Sequence, residues 1–90
     1  MTDKEIYKRI DFLREVLAYS LAHNGTLTSG ERICLHQECG AWLKVLYILE
    51  QEDPEDMPQP FYVIPDDLRA KTEFISQKIK DTKWKKVKWM

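Results

Sequence analysis

The sequence predicts an all-α fold, in which an antiparallel helical hairpin is followed by a Pro-rich linker, a third helix and a short basic tail. Apolar residues recur every three or four positions over residues 3–23 and again over residues 31–50, which is the helical period. The two runs have similar lengths and are joined by a short connection, an arrangement that favours antiparallel packing. A thinner helical pattern covers residues 65–80, after a segment that contains three prolines.

The composition is that of one small folded domain. Of the 90 residues, 43% are hydrophobic and the formal net charge is −1, which argues against intrinsic disorder. We expect the hairpin in residues 1–50, the linker in residues 51–64 and the C-terminal helix and tail in residues 65–90. The chain has no apolar run of about 18 residues and starts with charged residues. We therefore expect a cytoplasmic protein that has no membrane partner.

The first helix carries an apolar face that is wider than one partner helix needs. Its central stripe repeats at spacings of four, three, four and four, and consists of Ile6, Ile10, Leu13, Leu17 and Leu21. Three further apolar residues widen this stripe on one side: Phe12, Val16 and Tyr19.

The connection between the two helices contains a stop signal and a start signal. Gly25 can adopt the left-handed conformation that ends many helices. Thr28 and Glu31 have the spacing of a capping box, in which each side chain bonds the backbone N–H of the other residue.

The second helix is apolar nearly all round. Between Ile33 and Leu49 its only charged residues are Glu38 and Lys44. One stripe consists of Leu35, Cys39, Trp42, Leu46 and Leu49, and a second patch consists of Cys34, Ala41, Val45 and Ile48. Such a helix is buried on more than one side, so we expect it to lie between the first helix and either the C-terminal third or another copy of the chain.

From this excess of apolar surface we predict a set of partner-binding residues, Trp42, Leu46, Leu49 and Tyr47. Gly40 has two interpretations. It marks a close crossing with a partner, as a notch among Ile33, His36 and Tyr47, or it is a tolerated helix glycine.

The remaining part of the chain begins with an acidic, proline-broken linker. Its carboxylates are Glu50, Glu52, Asp53, Glu55 and Asp56, and its prolines are Pro54, Pro58 and Pro60. We expect residues 61–64 to pack on the hairpin and Pro65 to begin the third helix. The apolar stripe of this helix is thin and consists of Leu68, Ile75 and Ile79, with Phe74 beside it.

The tail alternates lysine with tryptophan. From Lys78 onward six lysines and one aspartate give a local charge of +5, although the whole chain is close to neutral. Lysines neutralise phosphates and indoles stack on unpaired bases, so the residues that would contact nucleic acid or an acidic partner are Lys83, Trp84, Lys85, Lys86, Lys88 and Trp89. We favour a tail that covers the hairpin or pairs with the acidic linker or an acidic partner over one that binds nucleic acid. A position at a membrane surface is the remaining alternative.

The sequence predicts no catalytic, cofactor or metal site. Cys34, His36 and Cys39 fall within six residues, but on a helix the two cysteines point about 140° apart and cannot bind one zinc ion or form a disulfide with each other. His36 and Cys39 share a face, yet no glycine-rich turn or oxyanion loop accompanies them. We expect two reduced thiols.

Seven positions fit a known helix–loop–helix frame: Gly25, Leu27, Thr28, Glu31, Leu35, Gln37 and Glu38. Through them residues 25–43 resemble the small aspartyl-phosphate phosphatases that act on response regulators of the sporulation phosphorelay. His36 stands where that family has serine, Cys39 where it has leucine, and Gly40 where it has the functional aspartate. The resemblance therefore implies a hairpin that docks on another protein, with no phosphatase activity carried over.

Together these observations predict a small non-enzymatic regulatory or inhibitor protein. We expect it to act by protein–protein binding through the helical hairpin, as a homodimer, because a two-fold contact buries excess apolar surface most simply. The alternative is a nucleic-acid-binding accessory protein that uses the Lys/Trp tail.

Overall fold

The part of the chain that the structure describes folds into three helices, which confirms the predicted all-α class. The computed structural model describes residues 3–52 and 54–82. Helix α1 spans Asp3–Ala22, helix α2 spans Ser29–Glu52 and helix α3 spans Asp66–Thr82. Within these described ranges, none of the helices combines the length and the apolar character needed to cross a bilayer.

The chain reverses between α1 and α2 as the turn residues predict. Gly25 has a φ of 87°, which is the left-handed conformation that a side chain would strain. The Thr28 N–H donates to Glu31 Oε1 at 2.8 Å, and the Glu31 N–H donates to Thr28 Oγ1 at 3.1 Å. This reciprocal capping box fixes the first turn of α2.

Helix α1, rather than α2, is the helix that packs against both of the others. Its buried residues include the predicted stripe except Leu21, and two residues of the widened side, while Phe12 is partly buried. The buried set is Ile6, Ile10, Leu13, Val16, Leu17, Tyr19 and Ser20. The width of the α1 face is thus explained by two partner helices. Of the second neighbours expected for α2, the C-terminal third covers it mainly through the linker, because α3 packs mainly on α1 and leaves part of α2 uncovered. The other expected neighbour, a second copy of the chain, stays a prediction.

The linker returns along α2 in an extended form. Its side chains alternate, since Tyr62 and Ile64 turn inward while Phe61 and Val63 remain exposed. Helix α3 then runs from the middle of α2 toward its first turn, where Lys71 Nζ lies 2.8 Å from Glu31 Oε1. The buried residues of α3 are Leu68, Thr72, Ile75 and Ile79, which include the whole predicted stripe. Phe74 is exposed.

A buried carboxylate, Glu38, joins α1, α2 and the linker. Arg9 on α1 donates to it through Nε at 2.7 Å and through Nη2 at 3.2 Å. The Trp42 indole N–H donates at 2.8 Å from one turn later on α2. The backbone N–H of Ile64 donates at 2.9 Å from the end of the linker. A fully buried carboxylate is stable only with such a complete set of donors.

These donors keep Glu38 ionised. Burial by itself raises the pKa of a carboxyl group, but here the hydrogen bonds from Arg9, Ile64 and Trp42 together outweigh it, so the pKa of Glu38 lies below its ordinary value of 4.5. The Glu38 carboxylate therefore remains the charged centre of the core at neutral pH.

We predict that Glu38→Gln lowers the free energy of unfolding by about 2–4 kcal/mol, because the amide supplies one acceptor oxygen where four donors converge and removes the charge that Arg9 neutralises. Chemical denaturation measures the change. The matched control is Glu73→Gln on the exposed face of α3, for which we expect a change within about 0.5 kcal/mol. Equal stability losses in the two variants would contradict the role of Glu38.

Acidification should destabilise the protein through the same group. Because the folded pKa of Glu38 is lowered, its contribution to stability is complete above 4.5 and is lost as the pH falls through the folded value. The unfolding free energy of the wild type should therefore drop more steeply than that of Glu38→Gln as the pH falls below 4.5. Parallel pH profiles for the two proteins would contradict this assignment.

Candidate interaction surface

The outward side of α2 carries a regular stripe of exposed residues. It consists of Ile33, His36, Gly40, Leu43 and Tyr47, and we call it the outer stripe. Its spacings of three, four, three and four match one helix face, and are typical of helices that pack along a seam. Ile33 is 57% exposed, Leu43 45% and Tyr47 63%, so its apolar members face solvent in the single chain.

A groove between α1 and α2 runs beside the outer stripe. Its volume is about 470 Å³, and it is lined by Arg14, Leu17, Leu21, His36, Cys39, Gly40 and Leu43. The sequence predicts Leu21 as part of the inward stripe of α1. The structure corrects this, because Leu21 is 60% exposed at the end of α1. Apolar side chains thus extend from the outer stripe across the groove to α1.

Gly40 lies in the middle of the outer stripe, and the single chain gives no reason for a glycine there. A Cβ atom built at Gly40 meets nothing within 4 Å, and its φ is not in the left-handed region. Alanine would stabilise the interior of the helix by about 0.5–1 kcal/mol relative to glycine. Both interpretations of Gly40, a tolerated helix glycine and a close crossing with a partner, fit this open space. Only the close crossing explains why a glycine rather than a larger residue occupies the position.

The two thiols of α2 have the character of core side chains. Cys34 and Cys39 are both free. Burial raises the pKa of the Cys39 thiol, which keeps it protonated and a poor nucleophile. The Cys34 thiol, together with desolvation, raises the pKa of the Tyr62 phenol. Among the described residues no group of three or more His, Cys, Asp or Glu side chains could hold a metal ion.

The four residues predicted to bind a partner fall in different environments. Trp42 lies in the core with 9% of its surface exposed, and its indole binds Glu38. Leu46 and Leu49 are partly buried against the core. Tyr47 is the one that belongs to the outer stripe. The sequence places Ile33 beside the Gly40 notch but not among the partner-binding residues. The apolar residue of the stripe that it misses is Leu43, for which the spacing of three residues from Gly40 is the available signal.

The basic residues proposed for contact with nucleic acid or an acidic partner lie outside the described residues. They are Lys83, Trp84, Lys85, Lys86, Lys88 and Trp89. This interpretation stays a prediction from sequence.

Comparison of the chain with protein-family models, with curated proteins and with solved structures gives no significant match. The resemblance to the phosphorelay phosphatases therefore also stays a prediction from sequence.

The different environments of Trp42 and Tyr47 lead to a direct test. Trp42→Ala should lower the free energy of unfolding by about 3–5 kcal/mol, because it opens a cavity and removes a donor to Glu38. Tyr47→Ala should change the stability of the single chain by about 0.5 kcal/mol or less, because the ring is mostly solvated. Denaturation at low protein concentration measures both values. Similar losses in the two variants would contradict the division of α2 into a core side and an outer side.

Proposed function

We propose that this protein is a small non-enzymatic regulator or inhibitor that acts by protein–protein binding, and that the hairpin is the part that binds. The observation that carries the proposal is the continuous apolar surface formed by the outer stripe and the α1–α2 groove. Contiguous exposed apolar surface on a small protein is typical of interaction sites.

The free-energy cost of leaving this apolar surface exposed to water supports a binding role. Ile33, Leu43 and Tyr47 on α2, and Leu21 on α1, are each about half exposed or more. At roughly 25 cal/mol per Å² of apolar area, covering several such side chains contributes several kcal/mol. This is comparable with the stability of a small domain, so a partner that covers the surface gains substantial binding energy.

The chemistry of the polar groups supports a role without catalysis. Glu38, the one fully buried carboxylate among the described residues, receives four donors from within the chain and has no acceptor position directed at a substrate. The Cys39 thiol in the groove is held protonated by burial, although His36 lies one turn away on the same helix. Neither group has the activation that nucleophilic or general-base catalysis requires.

The proposal predicts that a charge placed on the outer stripe abolishes partner capture. Tyr47→Glu should reduce the recovery of the target protein from native lysate by at least tenfold, because the contact would have to desolvate a carboxylate in place of an apolar ring. Affinity capture with quantitative mass spectrometry measures the recovery. The target, once purified, should change its activity in the presence of the wild-type protein and not in the presence of Tyr47→Glu.

The matched control is Phe74→Glu, which places the same charge on an exposed aromatic position of α3. We expect this variant to capture the target as the wild type does. At low protein concentration, where the single chain is measured, both variants should unfold at the wild-type temperature. Identical capture by all three proteins would show that the hairpin surface does not bind the target.

A further inference from the structure

We propose that a second copy of this chain covers the outer stripe, with the two α2 helices antiparallel and crossing at Gly40. This inference rests on the proposed function, because it names an occupant for the same surface. Four features of α2 favour this occupant: the symmetry of the stripe, the notch at its centre, the charges on one flank and the acidic last turn.

The stripe is symmetric about Gly40. Ile33 lies seven residues before Gly40, and Tyr47 lies seven residues after it. In an antiparallel two-fold contact, residues at equal distances on either side of the centre face each other. Ile33 then packs against the partner's Tyr47, and the same pair forms again at the other end. His36, four residues before the centre, lies near the partner's Leu43, three residues after it.

Gly40 supplies the space that such a crossing needs. Nothing in the chain lies within 4 Å of the position that its Cβ would occupy, so the backbone is directly accessible at the centre of the stripe. A glycine at a helix crossing lets two backbones approach closely, and the larger side chains on both sides then interdigitate.

In this arrangement a basic residue on one flank of α2 lies opposite an acidic residue on the same flank of the partner's α2. Arg32 lies eight residues before Gly40 and Glu50 lies ten after it. At about 100° and 1.5 Å per residue, both fall about 80° to the same side of the stripe, at heights that differ by about 3 Å once one helix is reversed. An antiparallel pair thus sets Arg32 beside the partner's Glu50, twice. In a parallel two-fold pair this flank of one helix and the same flank of the other would lie on opposite sides of the seam, so Arg32 would not meet the partner's Glu50.

The ends of α2 favour the same orientation. The last turn of α2 carries Glu50 and Glu52 and no basic residue, so its acidic groups lie at the negative end of their own helix dipole. In the antiparallel pair these carboxylates lie near the N-terminus of the partner's α2, where negative charge is stabilised.

The charge of this surface also disfavours the chain's own tail as the occupant. Residues 83–90 contain four lysines and no acidic residue. They would bring positive charge against Arg14, Arg32 and Lys44, which lie on or beside the outer stripe and the groove.

Sedimentation of the full chain over a range from low to high micromolar concentration tests the proposal. We expect a reversible monomer–dimer equilibrium. Gly40→Leu should raise the dimer dissociation constant about 100-fold, because the added side chain prevents close approach of the helices. Its unfolding temperature at low concentration should not fall, because the added atoms meet open space within the single chain. Ala70→Leu, which adds apolar bulk on the exposed face of α3, is the matched control and should dimerise as the wild type does.

Charge reversal tests the orientation of the two helices. Glu50→Arg and Arg32→Glu should each weaken the dimer about tenfold, and the double variant should restore wild-type affinity. Glu73→Arg on α3 controls for the change in net charge. Since Arg32 also donates to the Leu27 carbonyl, Glu50→Arg provides the independent measurement if Arg32→Glu perturbs the connection. A dimer that is unaffected by either reversal would overturn the antiparallel arrangement.

The outcomes separate this inference from the proposed function. A full chain that remains monomeric at high micromolar concentration, yet captures a target in a Tyr47-dependent way, would overturn the dimer and leave the proposed function supported. A dimer that depends on Gly40 and Glu50, in a protein that captures no target through the hairpin, would support the inference and overturn the regulatory role. A dimer that Gly40→Leu leaves intact would overturn the inference.

Discussion

The ion pair between Glu38 and Arg9 is the constraint on which the arrangement of the chain depends. Glu38 is fully buried, and Arg9 alone supplies two of its four hydrogen bonds. A carboxylate is tolerated in a protein interior only when its oxygens are saturated with donors. The remaining donors come from α2 itself and from the linker. The position of each segment relative to α2 is therefore specified by polar geometry as well as by apolar packing.

The hydrogen bonds to Glu38 also determine which side of α2 remains exposed. Because the linker and α1 both approach α2 on the side where Glu38 lies, the opposite side of α2 stays open. Trp42 and Tyr47 are close in sequence and both aromatic, yet one lies in the core and the other in solvent. The same chain segment thus contributes to folding through one face and presents the other as an apolar stripe around Gly40.

Local patterns predict the elements well, and long-range packing poorly. The capping box of Thr28 and Glu31, the left-handed Gly25 and the inward stripe of α3 follow from spacing alone, because each depends on residues within one or two turns. Spacing alone does not predict which helix packs against both of the others. Both α1 and α2 have apolar surface on more than one side, and periodicity does not say which side a third helix will take.

The role of Glu38 shows why the candidate surface could be predicted only in part. As one of two charges in an apolar segment, Glu38 could be read from sequence as a residue of a solvated face. Its burial depends on Arg9 and Ile64, which lie 29 and 26 residues away. With Glu38 directed inward, the rotation of α2 is fixed, and Ile33 and Leu43 move to the outside. A sequence pattern that is apolar nearly all round does not determine this rotation.

The hydrogen bond from the Ile64 N–H to Glu38 has a further consequence for the order in which the protein matures on the ribosome. A nascent chain that has emerged only as far as α2 already carries Glu38, Arg9 and Trp42, but it lacks the amide that completes the set of donors. Until the linker emerges, one oxygen of the buried carboxylate has one donor fewer than in the complete chain, so the hairpin alone is less stable than the same hairpin in the full fold. The linker thus contributes to the stability of α1 and α2 from outside both helices.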